Sequence, residues 1–185
     1  MSSRDVEEII MAGFGGQGVL FLGKVLAQAG MIGGSHVSWI PAYGPEMRGG
    51  TANCTVVLSK EEIASPVVLE PDVVVALNRP SVDRFLSTIK DDGLLLYNSS
   101  LISDFDKRKG IRYAKVAASE IADKLGDSRV TNLVMAGAYI KFSNLLNFKS
   151  VLEILPTIIP AKKKELSQLN LSAFEKGYNS VELVN

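Results

Sequence analysis

The chain of 185 residues is 46% hydrophobic and 22% charged, and its 20 basic residues balance its 20 acidic ones. This composition is typical of a soluble globular protein, and the length predicts a single domain over residues 1–185. The charge balance argues against nucleic-acid or anionic-membrane partners. One cysteine, Cys54, and one histidine, His36, exclude an internal disulfide and disfavour an iron–sulfur cluster or zinc site held by this chain alone.

A glycine-rich stretch, Gly13-Phe14-Gly15-Gly16-Gln17-Gly18, separates two apolar segments near the start of the chain. The segment before it, about 7–12, has the length of a strand, and the segment after it, about 17–32, has the length of a helix. The stretch therefore predicts a strand-to-helix turn, where glycine lets backbone N–H groups approach a neighbour closely. The core stripe of the helix is expected at Leu22, Val25, Leu26 and Ala29.

Two interpretations of this turn remain open. The spacing Gly13-x-Gly15-x-x-Gly18 matches the fingerprint of dinucleotide-binding folds. Those folds also carry an acidic residue ~20 positions further on, and residues 36–43 contain none. The alternative is a turn whose glycines serve only close packing between helix and sheet.

The region around the first helix is poor in charge. Between Glu8 and Glu46 the only formal charge is Lys24. A helix exposed to water should carry more charge on its outer face. We therefore expect this helix to be covered on both sides, either by its own chain or by another.

The rest of the chain alternates strands and helices. Further strands are predicted over about 36–40, 51–59, 73–77, 94–98 and 111–115, the last as an edge strand. Helices are predicted over about 80–90, 118–125, 132–146, 150–155 and 161–176. No crossover helix separates the strands 36–40 and 51–59, so they should pair antiparallel across a loop of residues 41–50. This order predicts an α/β fold, a three-layer α/β/α domain with a mixed, mainly parallel sheet and a Rossmann-like glycine turn after strand one.

Targeting signals are not evident. Residues 1–8 carry mixed charges and no cleavage motif follows them, which argues against a signal peptide. The uncharged residues 25–45 are interrupted by Pro41, Pro45 and several glycines, so they do not predict a membrane-spanning helix. A cytoplasmic location is the resulting expectation.

Ligands of open α/β sheets gather at the carboxyl ends of the strands. Four stretches should meet there, namely residues 13–18, residues 43–50, Asn78-Arg79 and Asn98-Ser99-Ser100. They offer amides, hydroxyls and guanidinium groups, but no Ser–His–Asp set and no lysine paired with an acid near the glycines. As an independent enzyme the chain looks under-equipped, and Cys54 is expected to be a small buried hydrophobe.

Two spaced motifs support a family resemblance. The glycine stretch is followed by Tyr43-Gly44-Pro45-Glu46-Met47-Arg48-Gly49-Gly50, then by residues 51–59 and by Ile63-Ala64-Ser65-Pro66. In this order they resemble the gamma subunit of the 2-oxoacid:ferredoxin (acceptor) oxidoreductases, the pyruvate/ketoisovalerate oxidoreductase gamma domain family. The resemblance covers essentially the whole chain. It is greatest to the branch acting on 2-oxoglutarate, with pyruvate and branched-chain members close by.

The resemblance implies a function that the motifs alone could not establish. Such complexes oxidatively decarboxylate a 2-oxoacid to an acyl-CoA and pass electrons to ferredoxin. Alpha and beta subunits hold thiamine diphosphate with magnesium, and iron–sulfur clusters lie in the beta or a small delta subunit. This chain is expected to bind none of these cofactors alone, because it has one cysteine and only a fragment, Gly126-Asp127-Ser128, of a thiamine motif.

The resemblance further implies that this chain packs beside the thiamine and coenzyme A cleft and is not catalytic by itself. The residues expected to contact that cleft or a neighbouring subunit are Gly13, Gly15, Gly16, Gln17, Gly18, Tyr43, Gly44, Glu46, Arg48, Gly49 and Gly50. A local surface pair of Glu46 with Arg48 is the structural alternative for the second motif. The functional alternatives are a stand-alone nucleotide-binding oxidoreductase and a module that binds coenzyme A or phosphate. The isolated chain is expected to form a homodimer or a larger assembly.

Overall fold

The computed structural model describes residues 5–43, 51–159 and 164–184, without the side chains of residues 43 and 164. Seven strands form one sheet in the order β2-β3-β1-β4-β5-β6-β7. The strands are β1 (Val6–Phe14), β2 (His36–Tyr43), β3 (Thr51–Ser59), β4 (Val73–Ala76), β5 (Leu94–Asn98), β6 (Arg112–Val116) and β7 (Glu182–Val184). The helices are α1 (Val19–Ile32), α2 (Arg79–Phe85), α3 (Ala118–Lys124), α4 (Thr131–Ile140), α5 (Phe148–Ile158) and α6 (Lys164–Ser180).

The sheet is mixed, with a parallel centre. β1, β4, β5 and β6 run parallel, while β3 pairs antiparallel with both β1 and β2, and β7 pairs antiparallel with β6. Alternate residues of the central strands face two separate cores. One core contains side chains from α1 and from α3 to α6, and the other contains side chains that follow β4 and β5, including Val82 of α2. The predicted α/β class is confirmed.

The predicted core stripe of α1 is buried at all four positions, Leu22, Val25, Leu26 and Ala29. The helix comes close to the sheet at two of its glycines. A methyl group on Gly23 would overlap the thiol of Cys54, and one on Gly30 would lie 3.1 Å from a methyl of Val37. Gly33 and Gly34 follow the end of the helix, and Gly34 has a φ of +84°.

The antiparallel pairing of β2 with β3 is confirmed, but β2 is longer than predicted. It continues through Pro41 to Tyr43, into the loop predicted for residues 41–50. β2 is the edge of the sheet, where proline is tolerated because one side of the strand needs no N–H donor. The strand prediction over 36–40 stopped at the proline because it treated Pro41 as a strand breaker.

The opposite edge also differs from the prediction. The strand expected at the edge, β6, is covered by β7, whose three residues pair with Tyr113, Ala114 and Lys115. A strand this short has no recognisable period in sequence. Its pairing depends on α6, which delivers the end of the described chain to this edge.

Four helix predictions have the wrong bounds. The helix expected over 161–176 continues to Ser180. The helix expected over 80–90 ends at Phe85 and continues as a 3-10 turn over Leu86–Thr88. The helix expected over 132–146 ends at Ile140, because Ser143 and Asn144 turn to donate hydrogen bonds to the buried carboxylate of Glu7. α5 is longer than predicted at both ends, and its N-cap Asn147 accepts hydrogen bonds from two backbone N–H groups.

The helices α4 and α6 cross in direct backbone contact. A methyl group on Gly137 would overlap the carbonyl of Phe174, and one on Gly177 would overlap the carbonyl of Val134. This crossing holds α4 in place, and α4 in turn supplies one wall of the cleft described below. No helix among the described residues is long and apolar enough to span a bilayer.

Candidate functional site

The glycine turn connects the carboxyl end of β1 to the amino end of α1. Gly16 and Gly18 have φ values of +102° and +76°, which favour glycine over other residues. Gly13 is closely packed. A Cβ at this position would lie 2.7 Å from the side-chain oxygen of Gln17 and 2.8 Å from a methyl of Val19. These three glycines therefore have conformational or packing reasons of their own.

Gln17 ties the ends of two strands together. Its side-chain oxygen accepts hydrogen bonds from the N–H of Phe14 at 2.7 Å and from Nδ2 of Asn78 at 3.2 Å. Its Nε2 donates to the carbonyl of Leu77 at 3.4 Å. The Oδ1 of Asn78 accepts from the N–H of Ser81 and so caps α2.

This network lies between the carboxyl ends of β1 and β4. A dinucleotide-binding fold would hold its pyrophosphate near such a strand-to-helix turn. In this chain, the side chains of Gln17 and Asn78 bond to each other and to the backbone there. The arrangement favours the interpretation that the glycine turn serves packing between helix and sheet. It also gives Gln17 a structural role, which the sequence did not predict.

On the other side of the turn, a cleft of about 460 Å³ opens towards α3 and α4. We call it the glycine-turn cleft. It is lined by residues 16–18 and by six side chains, those of Ser119, Asp123, Ser128, Arg129, Thr131 and Asn132. The three glycine-turn residues in this lining were all predicted site residues, whereas the six side chains were not.

Asn132 is one of the residues that line this cleft. Its side chain is 8% exposed, and we find no hydrogen-bond partner for its amide among the described residues. A methyl group on Gly18 would overlap its Nδ2, so Asn132 packs directly against the turn. No buried side-chain nitrogen or oxygen among the described residues lacks a hydrogen-bond partner, so the amide of Asn132 is open to water in the cleft.

The backbone N–H groups in the first turn of α1 lie beside the same cleft. Gly18 is the N-cap, no side chain caps the helix, and no acidic residue lies in its first turn. The first helical hydrogen bond runs from the N–H of Leu22 to the carbonyl of Gly18 at 2.9 Å. The preceding N–H groups, together with the helix dipole, favour a negatively charged group.

Arg129 and Asp127 form an ion pair at the rim. The guanidinium Nε and Nη2 donate to both carboxylate oxygens, at distances between 2.6 and 3.1 Å. Hydrogen bonds from Arg129 lower the pKa of Asp127 to about 2. Both side chains therefore stay ionised at neutral pH, and the charge of Arg129 balances that of Asp127.

An apolar groove of about 390 Å³ adjoins the glycine-turn cleft and shares Arg129 and Asn132 with it. Its apolar lining comes from α1, α4, the end of α5 and α6. These side chains are Phe21, Val130, Leu133, Ile159, Leu166 and Leu169. A ligand or side chain larger than the polar cleft could extend into this groove.

The second predicted motif lies almost entirely outside the described residues. This holds for Gly44, Glu46, Arg48, Gly49 and Gly50 and for the side chain of Tyr43. The strands that flank it do approach the glycine turn, since Gly13 pairs with Ala52 and Tyr43 pairs with Ala52 from the other side. The predicted meeting of the two motifs stays a prediction.

The other candidate residues have structural partners. Asn98 is fully buried, and its side chain bonds to the backbone of residues 100 and 118 and to Ser119. Arg79 pairs with Asp83 on the surface of α2. Both observations favour the interpretation of these stretches as turns that satisfy their own polar groups.

Cys54 is the buried small hydrophobe that we expected. Its side chain is fully buried, and its thiol lies 3.5 Å from the carbonyl of Val19. Burial raises the pKa of the thiol to about 12. Within the described ranges, no cluster of three or more His, Cys, Asp or Glu side chains could hold a metal ion.

The family model described as "Pyruvate ferredoxin/flavodoxin oxidoreductase" matches residues 8–180. The chain belongs to this family. The match confirms the resemblance that the two spaced motifs indicated, and it spans all of the helices and strands from β2 to α6.

Relatives within this family come under several names. The chain is 42% identical over 168 residues to the ketoisovalerate oxidoreductase subunit VorA of Methanothermobacter marburgensis, covering 90% of this chain and 35% of that one. It is 33% identical over 178 residues to the 2-oxoglutarate synthase subunit KorC of the same organism, covering 92% and 94% of the two chains. The chain thus spans about a third of the length of some curated relatives and nearly the whole of others.

Solved structures share the fold. The pyruvate oxidoreductase subunit PORC of Thermotoga maritima superposes with a TM-score of 0.81 at 23% identity, covering 98% of this chain and 100% of that one. The 2-oxoglutarate:ferredoxin oxidoreductase of Magnetococcus marinus superposes with a TM-score of 0.87 at 25% identity, covering 95% of this chain and 31% of that one. In that protein the equivalent of this family member is part of a chain about three times as long.

Asn132 and Ser119 are the residues that sequence reasoning missed. Both follow the glycine turn by more than a hundred positions, so no local pattern connects them to it. The available signal was weak. Residues 126–132 are mostly polar, and the only motif that they contain is a fragment of a thiamine motif.

Proposed function

We propose that this chain is the gamma-type component of a coenzyme A-acylating 2-oxoacid:ferredoxin oxidoreductase. The observation that carries the proposal is the family match over residues 8–180, together with KorC relatives of nearly the same length. The chain acts within the complex and is not catalytic alone. Alpha and beta subunits, with a delta subunit in some assemblies, supply thiamine diphosphate, magnesium and the iron–sulfur clusters, and ferredoxin is the electron acceptor.

The exposed apolar residues of this chain support an assembly role. Twelve large hydrophobic side chains are exposed in the described part of the chain, and six of them lie within residues 14–40, where Lys24 is the only charge. We call these six the uncharged flank: Phe14, Phe21, Met31, Ile32, Trp39 and Ile40. Exposed apolar side chains in a segment with a single charge are typical of a subunit contact.

We further propose that the glycine turn and residues 43–50 border this contact and the path of coenzyme A. The register of β1, β2 and β3 supports the proposal, because it brings the residues that flank both motifs to one edge of the sheet. Without its partners, the chain covers the uncharged flank by forming a homodimer. Light scattering that finds only monomer at high concentration would contradict the homodimer.

The substrate is a 2-oxoacid, with two candidates. The Pro45-Glu46-Met47-Arg48 motif favours 2-oxoglutarate, whereas the higher identity to VorA, 42% against 33% to KorC, favours ketoisovalerate. Reconstituted complex, assayed for acceptor reduction that depends on coenzyme A with each oxoacid and with pyruvate, distinguishes them.

Co-expression with the catalytic subunits tests the assembly. We expect the wild-type chain to co-elute with them, and we expect Met31→Glu, in the uncharged flank, to weaken that association. Leu69→Glu places the same charge at an exposed leucine outside the flank and is the matched control. A chain that never joins thiamine-binding subunits, or that oxidises a 2-oxoacid alone, would refute the proposal.

A further inference from the structure

The outer side of β2 is the longer of the two edges of the described sheet. β2 spans the eight residues His36–Tyr43, and its one strand neighbour among the described residues is β3. The strand at the opposite edge, β7, has only three residues. An edge strand presents a row of N–H and C=O groups that can pair with a strand of another chain.

The register of the sheet determines which backbone groups of β2 point outward. The N–H of Lys60 donates to the carbonyl of Asp5 at 2.9 Å, so Lys60 bonds towards β1 and Ser59 bonds towards β2. Because Ser59 pairs with His36, residues 36, 38, 40 and 42 direct their backbone groups to β3. Residues 37, 39, 41 and 43 therefore direct theirs outward, and Pro41, which has no N–H to offer, lies among them.

β2 has little of what normally protects an edge from pairing. Natural edge strands carry charged side chains, prolines or bulges. β2 has no formal charge, with His36 neutral, and its pairing with β3 is unbroken over eight positions. Trp39 and Ile40 are exposed on it. Pro41 removes one outward donor and leaves Val37 and Trp39 with theirs.

A second copy of the chain fits this edge because the edge is complementary to itself. Two antiparallel β2 strands related by a twofold axis at Ser38 place Val37 of each copy opposite Trp39 of the other. Both residues direct an N–H and a C=O outward, so each pair exchanges two hydrogen bonds. With the axis at Trp39 instead, Pro41 would lie opposite Val37 and leave its carbonyl without a donor. Since β2 carries no formal charge, no like charges oppose each other across the axis.

We propose that two copies of this chain pair through β2, antiparallel about a twofold axis at Ser38, so that their seven-strand sheets join into one continuous sheet. The proposal deepens the homodimer of the proposed function and rests on it to that extent. It adds the surface, the partner strand and the register. Trp39 and Ile40 of the uncharged flank are covered by this pairing, Trp39 by Val37 of the second copy and Ile40 by His36.

Trp39 is the only tryptophan of the chain, so its fluorescence reports on this edge directly. Its side chain is 37% exposed in the single chain. We expect its emission to shift to shorter wavelength, and its quenching by acrylamide to fall, as the protein concentration rises. The midpoint should coincide with that of dimer formation in light scattering. Emission that stays constant while the chain dimerises would overturn the proposal.

Cysteine substitutions test the register. Ser38→Cys places the two thiols opposite each other with a Cα separation of about 4.5 Å, which suits a disulfide. Ile40→Cys, the matched control on the same face of β2, places its two thiols about 14 Å apart. We expect mild oxidation to link Ser38→Cys into a covalent dimer and to leave Ile40→Cys unlinked, because Cys54 is fully buried. No link in Ser38→Cys, or an equal link in Ile40→Cys, would overturn the register.

A proline substitution tests the backbone bonds. Val37→Pro removes an outward N–H from each copy and leaves the bonds to β3, as Pro41 does in the natural strand. We expect the dissociation constant of the dimer to rise by about tenfold or more. Val37→Thr keeps the N–H and the branched shape, and its dimer should dissociate within about threefold of wild type. Heat unfolding of both variants checks the fold, and equally tight dimers of Val37→Pro and wild type would contradict the pairing.

The two proposals fail separately. If the chain joins the catalytic subunits but Ser38→Cys does not link and Trp39 does not respond, the strand pairing is wrong and the proposed function stands. If Ser38→Cys links as expected but the chain never joins thiamine-binding subunits, the proposed function is wrong and the strand pairing stands. A chain that stays monomeric at high concentration overturns the pairing and the homodimer together.

Discussion

The two ends of β1 are built differently. At the amino end, Glu7 is 3% exposed, and its carboxylate accepts from the hydroxyls of Tyr139 and Ser143 at 2.6 and 2.7 Å and from Asn144. At the carboxyl end, α1 is uncapped and Asn132 has no partner within the described residues. The buried carboxylate of Glu7 and its partners stabilise the fold, whereas the amide of Asn132 is open to water in the cleft.

Glu8, the next residue at the amino end of β1, also has its polar groups paired. Lys90 pairs with Glu8, and it lies 3.2 Å from Asp72, whose other oxygen accepts from the N–H of Glu8 at 2.9 Å. These contacts join β1, the start of β4 and the segment before β5. Polar groups at the amino end of β1 hold the sheet together, whereas at the carboxyl end the bonded pair of Gln17 and Asn78 lies beside a cleft lined by the amide of Asn132.

Removing the carboxylate of Glu7 should have the largest effect. Glu7→Leu leaves the buried hydroxyl of Tyr139, the half-buried Ser143 and the exposed Asn144 without their acceptor, and we expect a loss of about 3 kcal/mol in the free energy of unfolding. Denaturant titration measures it. Tyr139→Phe removes one donor and leaves the others in place, so it should cost about 1 kcal/mol. Equal stability of Glu7→Leu and wild type would remove the contrast between the two ends.

A substitution in the glycine turn should destabilise the fold less than the loss of the Glu7 carboxylate. Gly18→Ala forces a φ of +76° on a residue with a Cβ and displaces Asn132, and we expect a loss of about 1–2 kcal/mol. In an Asn132→Ala background the displaced amide is absent, so the same substitution should cost less. Denaturant titration of the four proteins gives the coupling between the two residues. A coupling of zero would show that Asn132 does not pack on the turn.

The Lys90 cluster should give a smaller effect that depends on pH. Burial lowers the pKa of Lys90, but the hydrogen bonds and charges of Glu8 and Asp72 outweigh it and raise the pKa above its ordinary value of 10.5. A raised lysine pKa stabilises the fold fully below the ordinary value, and this contribution is lost as the pH rises through the folded-state pKa. We therefore expect wild type to lose stability as the pH rises above 10.5, and we expect Lys90→Met to lose less over the same range.

Thermal melts between pH 7 and 11.5 measure this difference. Lys60→Met removes an exposed lysine that pairs with Asp5 at 2.8 Å, and it controls for loss of a surface charge, worth about 0–1 kcal/mol. If Lys90→Met and wild type lose the same stability above pH 10.5, the contacts of Lys90 with Glu8 and Asp72 do not stabilise the fold.

The last prediction is that the thiol of Cys54 does not react in the folded chain. It lies under α1 beside the carboxyl end of β1, and burial raises the pKa of its thiol to about 12. Because the thiolate is the reactive form, we expect no alkylation by iodoacetamide at pH 8 in the folded chain and full alkylation in denaturant, read by mass spectrometry. Rapid labelling of the folded chain would mean that the opening at the turn extends into the core.

Local patterns predicted the elements with strong periods and clear ends. The strand and helix around the glycine turn, the buried stripe Leu22, Val25, Leu26 and Ala29, and the antiparallel pair of β2 with β3 follow from residues close together in sequence. Two motifs about 25 residues apart were enough to indicate the family, because their order and spacing are more specific than either motif alone.

The errors have one cause, which is that a partner distant in sequence decided the outcome. Ile140 ends α4 because Glu7 recruits residues 143 and 144, and β6 is not an edge because β7 pairs with it. Likewise, Gly137 and Gly177 were not singled out in the sequence, although they let α4 and α6 touch backbone to backbone. None of these effects has a signature within a short window of sequence.

By itself the sequence determined the α/β class, the glycine turn and the family, because each depends on a period or a spacing that is local to the chain. Only the tertiary structure decided what the turn contacts. It brought Gln17 to Asn78 on one side and Asn132 to Gly18 on the other, by folding together residues more than 60 and more than 100 positions apart. A hydrogen bond acts over about 3 Å, so which polar groups find a partner is decided only when the chain has folded.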